Sequence, residues 1–129
     1  MPCPVQGTVH FTDDFGAPRG GGRTHQGVDI FAPAGTPNVA VASGVIIQQF
    51  ESGFGNYVTL AADDGTTYLY AHLAGFEGAD RRVVRGEVIG YSGNSGNADG
   101  VHTHFEMRPG GGATVNPYPT LEAVCTNRV

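Results

Sequence analysis

The strongest constraint on the fold is a strict alternation of residue types over residues 101–108. One parity carries the apolar residues Val101, Phe105 and Met107, together with Thr103. The other parity carries His102, His104, Glu106 and an arginine. Side chains two apart share one face of a strand but diverge on a helix. The segment is therefore predicted to be a strand with an apolar face and a face of imidazoles and charges, which is typical of a metal site.

The rest of the chain has the same β character. Its 129 residues suit one domain, residues 1–129, and 21 glycines separate short runs rich in Val, Ile, Thr, Tyr and Phe. We predict a mainly β protein with little helix, in which antiparallel sheets carry loops that wall a substrate groove. Strands are predicted at residues 5–11, 39–41, 44–50, 83–84 and 87–91, a hairpin joins 56–61 to 66–72 through an Asp-Gly turn, and a helical turn is predicted at 120–124.

Charge and cysteine content narrow the function classes. The net charge of −5 argues against a nucleic-acid partner, and no run of 18 apolar residues could span a membrane. Cys3 and Cys125 are either two unrelated buried thiols or, as we favour, a disulfide that ties the termini together in an oxidising compartment. The first residues resemble no signal peptide, so we expect a monomeric mature or excised piece of a longer exported protein.

A second pair of metal-binding residue types stands earlier in the chain. His25 and Asp29 are four residues apart, an even spacing that places both on one face of an extended segment. Two imidazoles, one carboxylate and a water would suit a catalytic zinc ion. The chain has no HExxH sequence, so a general base must come from another residue, and the spare histidines are the candidates. His10 stands alone and is given no role.

The motifs together resemble a known family. His25-x-x-x-Asp29, the run Tyr70-Ala71-His72-Leu73 and the run His102-x-His104-Phe105-Glu106 have the order and spacing of lysostaphin-like (LAS-type) zinc endopeptidases, which are bacterial peptidoglycan hydrolases. The resemblance covers nearly the whole chain. It includes Phe15-Gly16, the stretch 29–37, the Gly53-Phe54-Gly55-Asn56 turn and Val88-Ile89-Gly90.

The resemblance implies a role for each of five residues. His25, Asp29 and His104 correspond to the ligands of one Zn²⁺ ion per chain. His102 and His72 correspond to two catalytic histidines that do not bind the metal. We expect His102 to act as the general base and His72 to stabilise the oxyanion, with the two roles open to exchange.

Four further residues carry expectations. By parity, Tyr70 is predicted to share the face of His72. Glu106 is either an acceptor that orients a ligand imidazole or an exposed strand charge. Thr103 stands where the family more often has leucine, and its side chain is predicted to point to the core. Val101 stands where a proline is more usual.

These observations predict an extracytoplasmic zinc endopeptidase that cleaves peptide bonds in bacterial peptidoglycan, in stem peptides or crossbridges. The scissile bond is left open between glycyl-glycine and D-alanine joined to a diamino acid. The main alternative is a non-catalytic module that binds peptidoglycan or activates a hydrolase, with structural zinc. Structural zinc usually has four protein ligands, which disfavours it. A sugar-binding β-module is weaker still, because the chain has no tryptophan.

Overall fold

A computed structural model describes all 129 residues and contains eight strands, one short helix and two 3₁₀ turns. The 3₁₀ turns are Gly20–Gly22 and Pro109–Gly111. No helix has the length and apolar character needed to cross a membrane. The remaining elements are β1 (Val28–Phe31), β2 (Pro37–Val39), β3 (Gly44–Glu51), β4 (Gly55–Ala62), β5 (Thr67–Phe76), β6 (Arg81–Val83), β7 (Val88–Ser92), β8 (His102–Arg108) and α1 (Tyr118–Val124).

All eight strands belong to one antiparallel sheet. Six of them lie in the order β1-β8-β5-β4-β3-β6, while β7 pairs with both β5 and β2 and so branches from the middle of the sheet. The predicted mainly β, single-domain fold is confirmed, although one branched sheet replaces the several sheets expected. The predicted hairpin is also confirmed, because β4 and β5 pair across residues 63–66. The helix includes the predicted turn at 120–124 and begins two residues earlier.

The core lies on one face of this sheet. Alternate residues of the central strands, such as Leu60 and Phe105, are fully buried together with Val9 and Leu121. The amino-terminal segment and α1 therefore cover that face. The cysteine sulfurs of these two segments lie at disulfide distance, with the Cα atoms 4.7 Å apart, as the sequence favoured. The opposite face of β1, β8 and β5 is left to form the site.

The predicted first strand at residues 5–11 is wrong. Val5, Val9 and His10 each form an isolated bridge, and each pairs with a different part of the chain. Gly7 between them has φ of 72°, which breaks the extended backbone. The apolar residues of this segment are buried as the pattern required, but no continuous ladder forms. The predicted strand at 39–41 lies two residues earlier, as β2, and that at 83–84 ends one residue earlier, as β6.

Candidate metal centre and groove

The pairing of β1 with β8 brings together residues far apart in the chain. Asp29 lies directly opposite His104 in the register of these two strands. His25 precedes β1 and reaches the same face from a loop. Gly27 allows this path, because a Cβ atom there would lie 2.3 Å from the carbonyl oxygen of Phe105. Because Gly27 has no side chain, the backbone between His25 and Asp29 can pass close to β8.

Three side-chain atoms of this group form a compact triangle. His25 Nε2 lies 3.0 Å from Asp29 Oδ1 and 3.0 Å from His104 Nδ1, and the latter two atoms are 3.2 Å apart. Tetrahedral zinc with bonds of about 2.0–2.1 Å would hold its ligand atoms about 3.3 Å from one another. The three atoms therefore fit three corners of such a site, and they form the one group in the chain that could hold a metal ion.

The other nitrogen of each of these histidines is occupied by an oxygen. His25 Nδ1 lies 3.1 Å from the carbonyl oxygen of Asp14, and His104 Nε2 lies 2.7 Å from Glu106 Oε2. Carbonyls and carboxylates only accept hydrogen bonds, so these nitrogens donate. In the neutral rings, the nitrogens within the triangle then carry lone pairs. Glu106 is 1% exposed and also accepts from Arg108, so it orients His104 and is not an exposed strand charge.

The carboxylates around the triangle favour positive charge on the histidines within it. Burial alone would lower the pKa of His25, but hydrogen bonds to Asp14 and Asp29 outweigh it and raise that pKa to about 9. The pKa of His104 is also raised, since Asp29 and Glu106 outweigh its burial. The pKa of Asp29 is held below its usual range by hydrogen bonds from His104 and His25, despite its burial. A cation would replace the protons held here.

Two more histidines lie beside the triangle. The rings of His72 and His102 have centroids 5.0 Å apart, and His102 Nε2 is 3.5 Å from Asp29 Oδ1. His72 Nδ1 donates to the carbonyl of Ser95 at 2.8 Å, and His102 Nδ1 donates to that of Gly100 at 2.9 Å. Each neutral ring therefore keeps an unprotonated Nε2 that can accept a proton. Burial lowers the pKa of His72, which keeps this ring neutral at pH 7.

The predicted common face of Tyr70 and His72 is wrong. Tyr70 is fully buried in the core, where its hydroxyl donates to the carbonyl of Val39 at 2.8 Å. His72 has φ of 65°, the one positive φ outside glycine, and the register of β4 and β5 shifts nearby. The alternation of β5 breaks at this point, so the imidazole turns to the groove although Tyr70 does not.

The five predicted site residues line an open groove of about 1170 Å³. The hairpin that leads into His25, residues 97–99 and the turn at 51–54 line it, and the last two segments are joined by the hydrogen bond from the Asn97 N–H to the Gly53 carbonyl oxygen. The glycine-rich turn at residues 20–22 and the polar loop at residues 97–99 both contribute to it. Thr103 faces the opposite way, as predicted, and its hydroxyl donates to Asn38 Oδ1 at 2.8 Å. His10 is exposed and outside the groove.

Two residues of the site have no sequence signal of their own. Asp14 contacts His25, but it precedes the matched Phe15-Gly16 motif and looks like an ordinary loop carboxylate. Phe54 lies against His104 with ring centroids 5.8 Å apart, and its carbonyl accepts the His72 N–H at 2.8 Å. The matched Gly-Phe-Gly-Asn turn marked the position of Phe54 without indicating what the ring contacts.

Residues 23–117, which contain all five predicted site residues, match the model of peptidase family M23. The chain belongs to peptidase family M23. This M23 domain is 45% identical over 96 residues to the DD-carboxypeptidase/endopeptidase Mpg of Neisseria meningitidis serogroup B, which covers 74% of the chain. It is 34% identical over 139 residues to the L-Ala--D-Glu endopeptidase of Bacillus subtilis, which covers 95% of the chain.

Solved structures show the same fold. The catalytic domain of lysostaphin from Staphylococcus simulans superposes with a TM-score of 0.77 at 30% identity, covering 88% of the M23 domain and 92% of the lysostaphin domain. The two curated relatives are much longer than the M23 domain, which spans 22% of Mpg and 43% of the Bacillus subtilis endopeptidase.

Proposed function

We propose that this M23 domain is a zinc-dependent endopeptidase that hydrolyses peptide bonds of bacterial peptidoglycan. The observation that carries the proposal is the pair of imidazoles of His72 and His102 beside a three-atom metal-binding triangle. A purely structural zinc site would need no such bases and would usually have a fourth protein ligand. The names of the relatives support the substrate, because both describe peptidases that act at D-amino acids.

The proposed metal ligands are His25 Nε2, Asp29 Oδ1 and His104 Nδ1. Two imidazole nitrogens and one carboxylate oxygen are a donor set that zinc accepts well. Bound zinc supplies a Lewis acid that lowers the pKa of a coordinated water toward about 7 and polarises a carbonyl. The hydrogen bonds from these rings to Asp14 and Glu106 hold the ligand nitrogens in place, which strengthens metal binding.

The proposed catalytic residues are His102 and His72. His102 Nε2, next to the ligand atoms, accepts the proton of the attacking water. The His72 ring lies beside that of His102, with centroids 5.0 Å apart. When His72 Nε2 takes up a solvent proton it stabilises the developing oxyanion and then passes that proton to the leaving amine, while His102 releases the proton of the water to solvent. The hydrogen bonds to the Ser95 and Gly100 carbonyls place the proton of each neutral ring on Nδ1 and leave Nε2 with a lone pair. The two roles remain open to exchange.

The proposed site of action is extracytoplasmic. Peptidoglycan lies outside the cytoplasm, and the Cys3–Cys125 pair requires an oxidising compartment to persist as a disulfide.

The first test is a digest of purified peptidoglycan with the zinc-loaded domain, read by mass spectrometry against a metal-stripped control. We expect new amine and carboxyl ends only when zinc is present, and their identity names the bond. Reconstitution of the stripped sample with zinc should restore cleavage. Intact peptides in every sample, despite stoichiometric zinc, would contradict the endopeptidase and favour a non-catalytic module that binds peptidoglycan or activates another hydrolase.

A further inference from the structure

The hairpin that leads into His25 holds two arginines opposite each other. The Arg19 N–H donates to the Arg23 carbonyl at 2.8 Å, and the His25 N–H donates to the Ala17 carbonyl at 2.9 Å. Arg19 and Arg23 both have extended backbones. In an extended segment residues two apart share a face, so Arg23 lies on the side of His25, and its cross-strand partner Arg19 does too. Both arginines accordingly line the groove.

The placement of two like charges at this point is unfavourable unless an anion offsets it. Directly opposed like charges destabilise an antiparallel pair. All seven basic residues of this acidic chain are arginines, and three of them line the groove. The third, Arg108, is committed to Glu106 through its Nε and Nη2 atoms. Arg23 has no carboxylate partner in the chain, and Arg19 has only the Asp29 carboxylate at 3.7 Å. These two are therefore the cationic groups of the groove with donors left for a ligand.

The hydrogen-bond donors of these two guanidinium groups are mostly free. Arg23 Nε donates to the carbonyl of Gly20 at 2.9 Å, which fixes the side chain, while its Nη atoms are exposed and have no acceptor in the chain. Arg19 Nη2 lies 3.7 Å from Asp29 Oδ2, beyond hydrogen-bond distance. This contact places the Arg19 guanidinium at the edge of the proposed metal site. Of its side-chain nitrogens only Nη1 has an acceptor, the Pro18 carbonyl oxygen at 3.2 Å.

The groove also carries acidic residues on segments other than the hairpin. Glu51 and Asp99 are exposed on two segments that are joined by the hydrogen bond from the Asn97 N–H to the Gly53 carbonyl oxygen at 2.8 Å. A carboxylate that enters the groove is attracted to the arginine side and repelled from the acidic side. The charge difference between the hairpin and these acidic segments therefore favours one orientation of a substrate that bears a single free carboxylate.

From these observations we infer that Arg19 and Arg23 form a carboxylate-binding subsite, and that the domain prefers peptides with a free carboxylate on a residue that flanks the scissile bond. The planar guanidinium group binds carboxylates through paired hydrogen bonds. One residue spans about 3.3–3.6 Å, so a carboxylate held beside Asp29 belongs to a residue next to the reacting bond. This inference rests on the proposed function and names its substrate class.

The preferred class has a clear chemical meaning. A crosslink from D-alanine to a diamino acid that keeps a free carboxyl group beside its acylated amine fits the subsite. A glycyl-glycine crossbridge has no carboxylate at that place, and neither does a crosslink whose carboxyl group is amidated.

The test compares two crosslinked stem-peptide dimers that differ only in a free carboxyl or a carboxamide next to the scissile bond. For the zinc-loaded wild type, we expect kcat/KM to be about 10- to 100-fold higher for the free acid. The variants Arg23→Gln and Arg19→Gln/Arg23→Gln should bring this ratio toward one. Arg23→Gln is the more specific test, because the Arg23 guanidinium, unlike that of Arg19, does not contact a proposed metal ligand. Arg85→Gln, an exposed arginine outside the groove, is the matched control and should keep the wild-type ratio.

The outcomes separate the inference from the proposed function. Equal cleavage of the two dimers by the wild type, or an unchanged preference in both arginine variants, would overturn the carboxylate subsite and leave the endopeptidase intact. If the wild type cleaves neither dimer nor whole peptidoglycan, the proposed function fails. Calorimetric binding of the two dimers to the zinc-loaded protein then decides the subsite, since tighter binding of the free acid supports it and equal binding refutes it.

Discussion

Each of the four histidines in the site has one ring nitrogen occupied by an oxygen acceptor. For His104 the acceptor is a carboxylate, whereas for His25, His72 and His102 it is a backbone carbonyl. The acceptor decides which nitrogen of each neutral ring carries the proton. The sequence predicted the grouping of these histidines, but not which ring nitrogen faces the proposed metal position, because a backbone carbonyl leaves no residue type to recognise.

At the level of single residues, the ligands and the catalytic histidines should respond differently to substitution. His104→Ala or Asp29→Ala removes a proposed ligand, so we expect loss of stoichiometric zinc and of activity together. His102→Ala should retain zinc and lose about 100- to 10,000-fold in kcat, the usual contribution of a general base. Atomic absorption on dialysed protein and peptidoglycan turnover measure both quantities. Stoichiometric zinc retained in either ligand variant, or full activity in His102→Ala, would contradict the assignment.

Zinc binding should release protons even at a pH well above the usual pKa of histidine. The pKa of His25 is about 9 in the metal-free site, so this ring is protonated at pH 7.5 and must lose its proton to bind zinc. Zinc affinity should therefore keep rising with pH from 6.5 toward 9, whereas a ring of ordinary pKa would reach its plateau near 7.5. Calorimetry in buffers of different ionisation enthalpy measures the release, and we expect at least one proton per zinc.

A matched variant tests the cause of this proton release. Asp14→Asn keeps the backbone carbonyl that accepts from His25 Nδ1 but removes the carboxylate charge 3.4 Å away. The pKa of His25 should fall, and fewer protons should be released at pH 7.5. The same proton count in both proteins would show that Asp14 does not hold the charge of His25. No release in the wild type would contradict the raised pKa itself.

At the level of elements, the turn at residues 51–55 and the loop that contains Ser95 and Gly96 both contact His72, and their backbones lie in close contact with each other. A Cβ on Gly96 would lie 2.3 Å from the backbone nitrogen of Gly55, and Ser95 accepts from the His72 ring in the same loop. Gly96→Ala should push the loops apart and lower kcat by at least about 10-fold, since small misplacements of catalytic groups are costly. Zinc content should stay at one ion, because no proposed ligand lies on either loop.

The control for that variant separates steric contact from backbone strain. Gly65 has φ of +92°, also in the left-handed region, but nothing lies within 4 Å of a Cβ at that position. Gly65→Ala should therefore share the strain of a positive φ and leave kcat near the wild-type value. Equal losses of kcat in Gly65→Ala and Gly96→Ala would assign the effect to strain and not to the loop contact.

The elements also show where alternation predicts a face and where it does not. For β8 the backbone stays extended from His102 to Arg108, so the imidazoles share one face as predicted. In β5 the left-handed backbone at His72 reverses the expected side, and Tyr70 enters the core instead. Histidine carries no general preference for positive φ strong enough to be recognised, and such a conformation costs about 1–3 kcal/mol. The surrounding loops impose it.

For the molecule as a whole, the two faces of one sheet have different roles, one in the hydrophobic core and one in the candidate site. Its core face is covered by the two terminal segments, and its other face bears the groove. The alternation over residues 101–108 predicted this division for β8. The strand order could not be predicted in the same way. It depends on pairings such as that of Asp29 with His104, across 75 residues, for which a local pattern holds no information.

The disulfide belongs to this stabilising face and should affect folding without affecting catalysis. Cys3 and Cys125 are 122 residues apart, and closing a loop of that length lowers the entropy of the unfolded chain. The double variant Cys3→Ser/Cys125→Ser should lose about 4–5 kcal/mol of unfolding free energy on the chain-entropy model. Urea denaturation measures the loss, and the wild type under reducing conditions should lose a similar amount.

Zinc content and kcat of this variant, measured at a temperature where it remains folded, should match the wild type, because both cysteines lie on the covered face and not in the groove. A wild-type midpoint in urea would show that the bond does not constrain the unfolded chain. A loss of zinc in the folded variant would show instead that the terminal segments hold the metal site together through the sheet, so that its two faces are not independent.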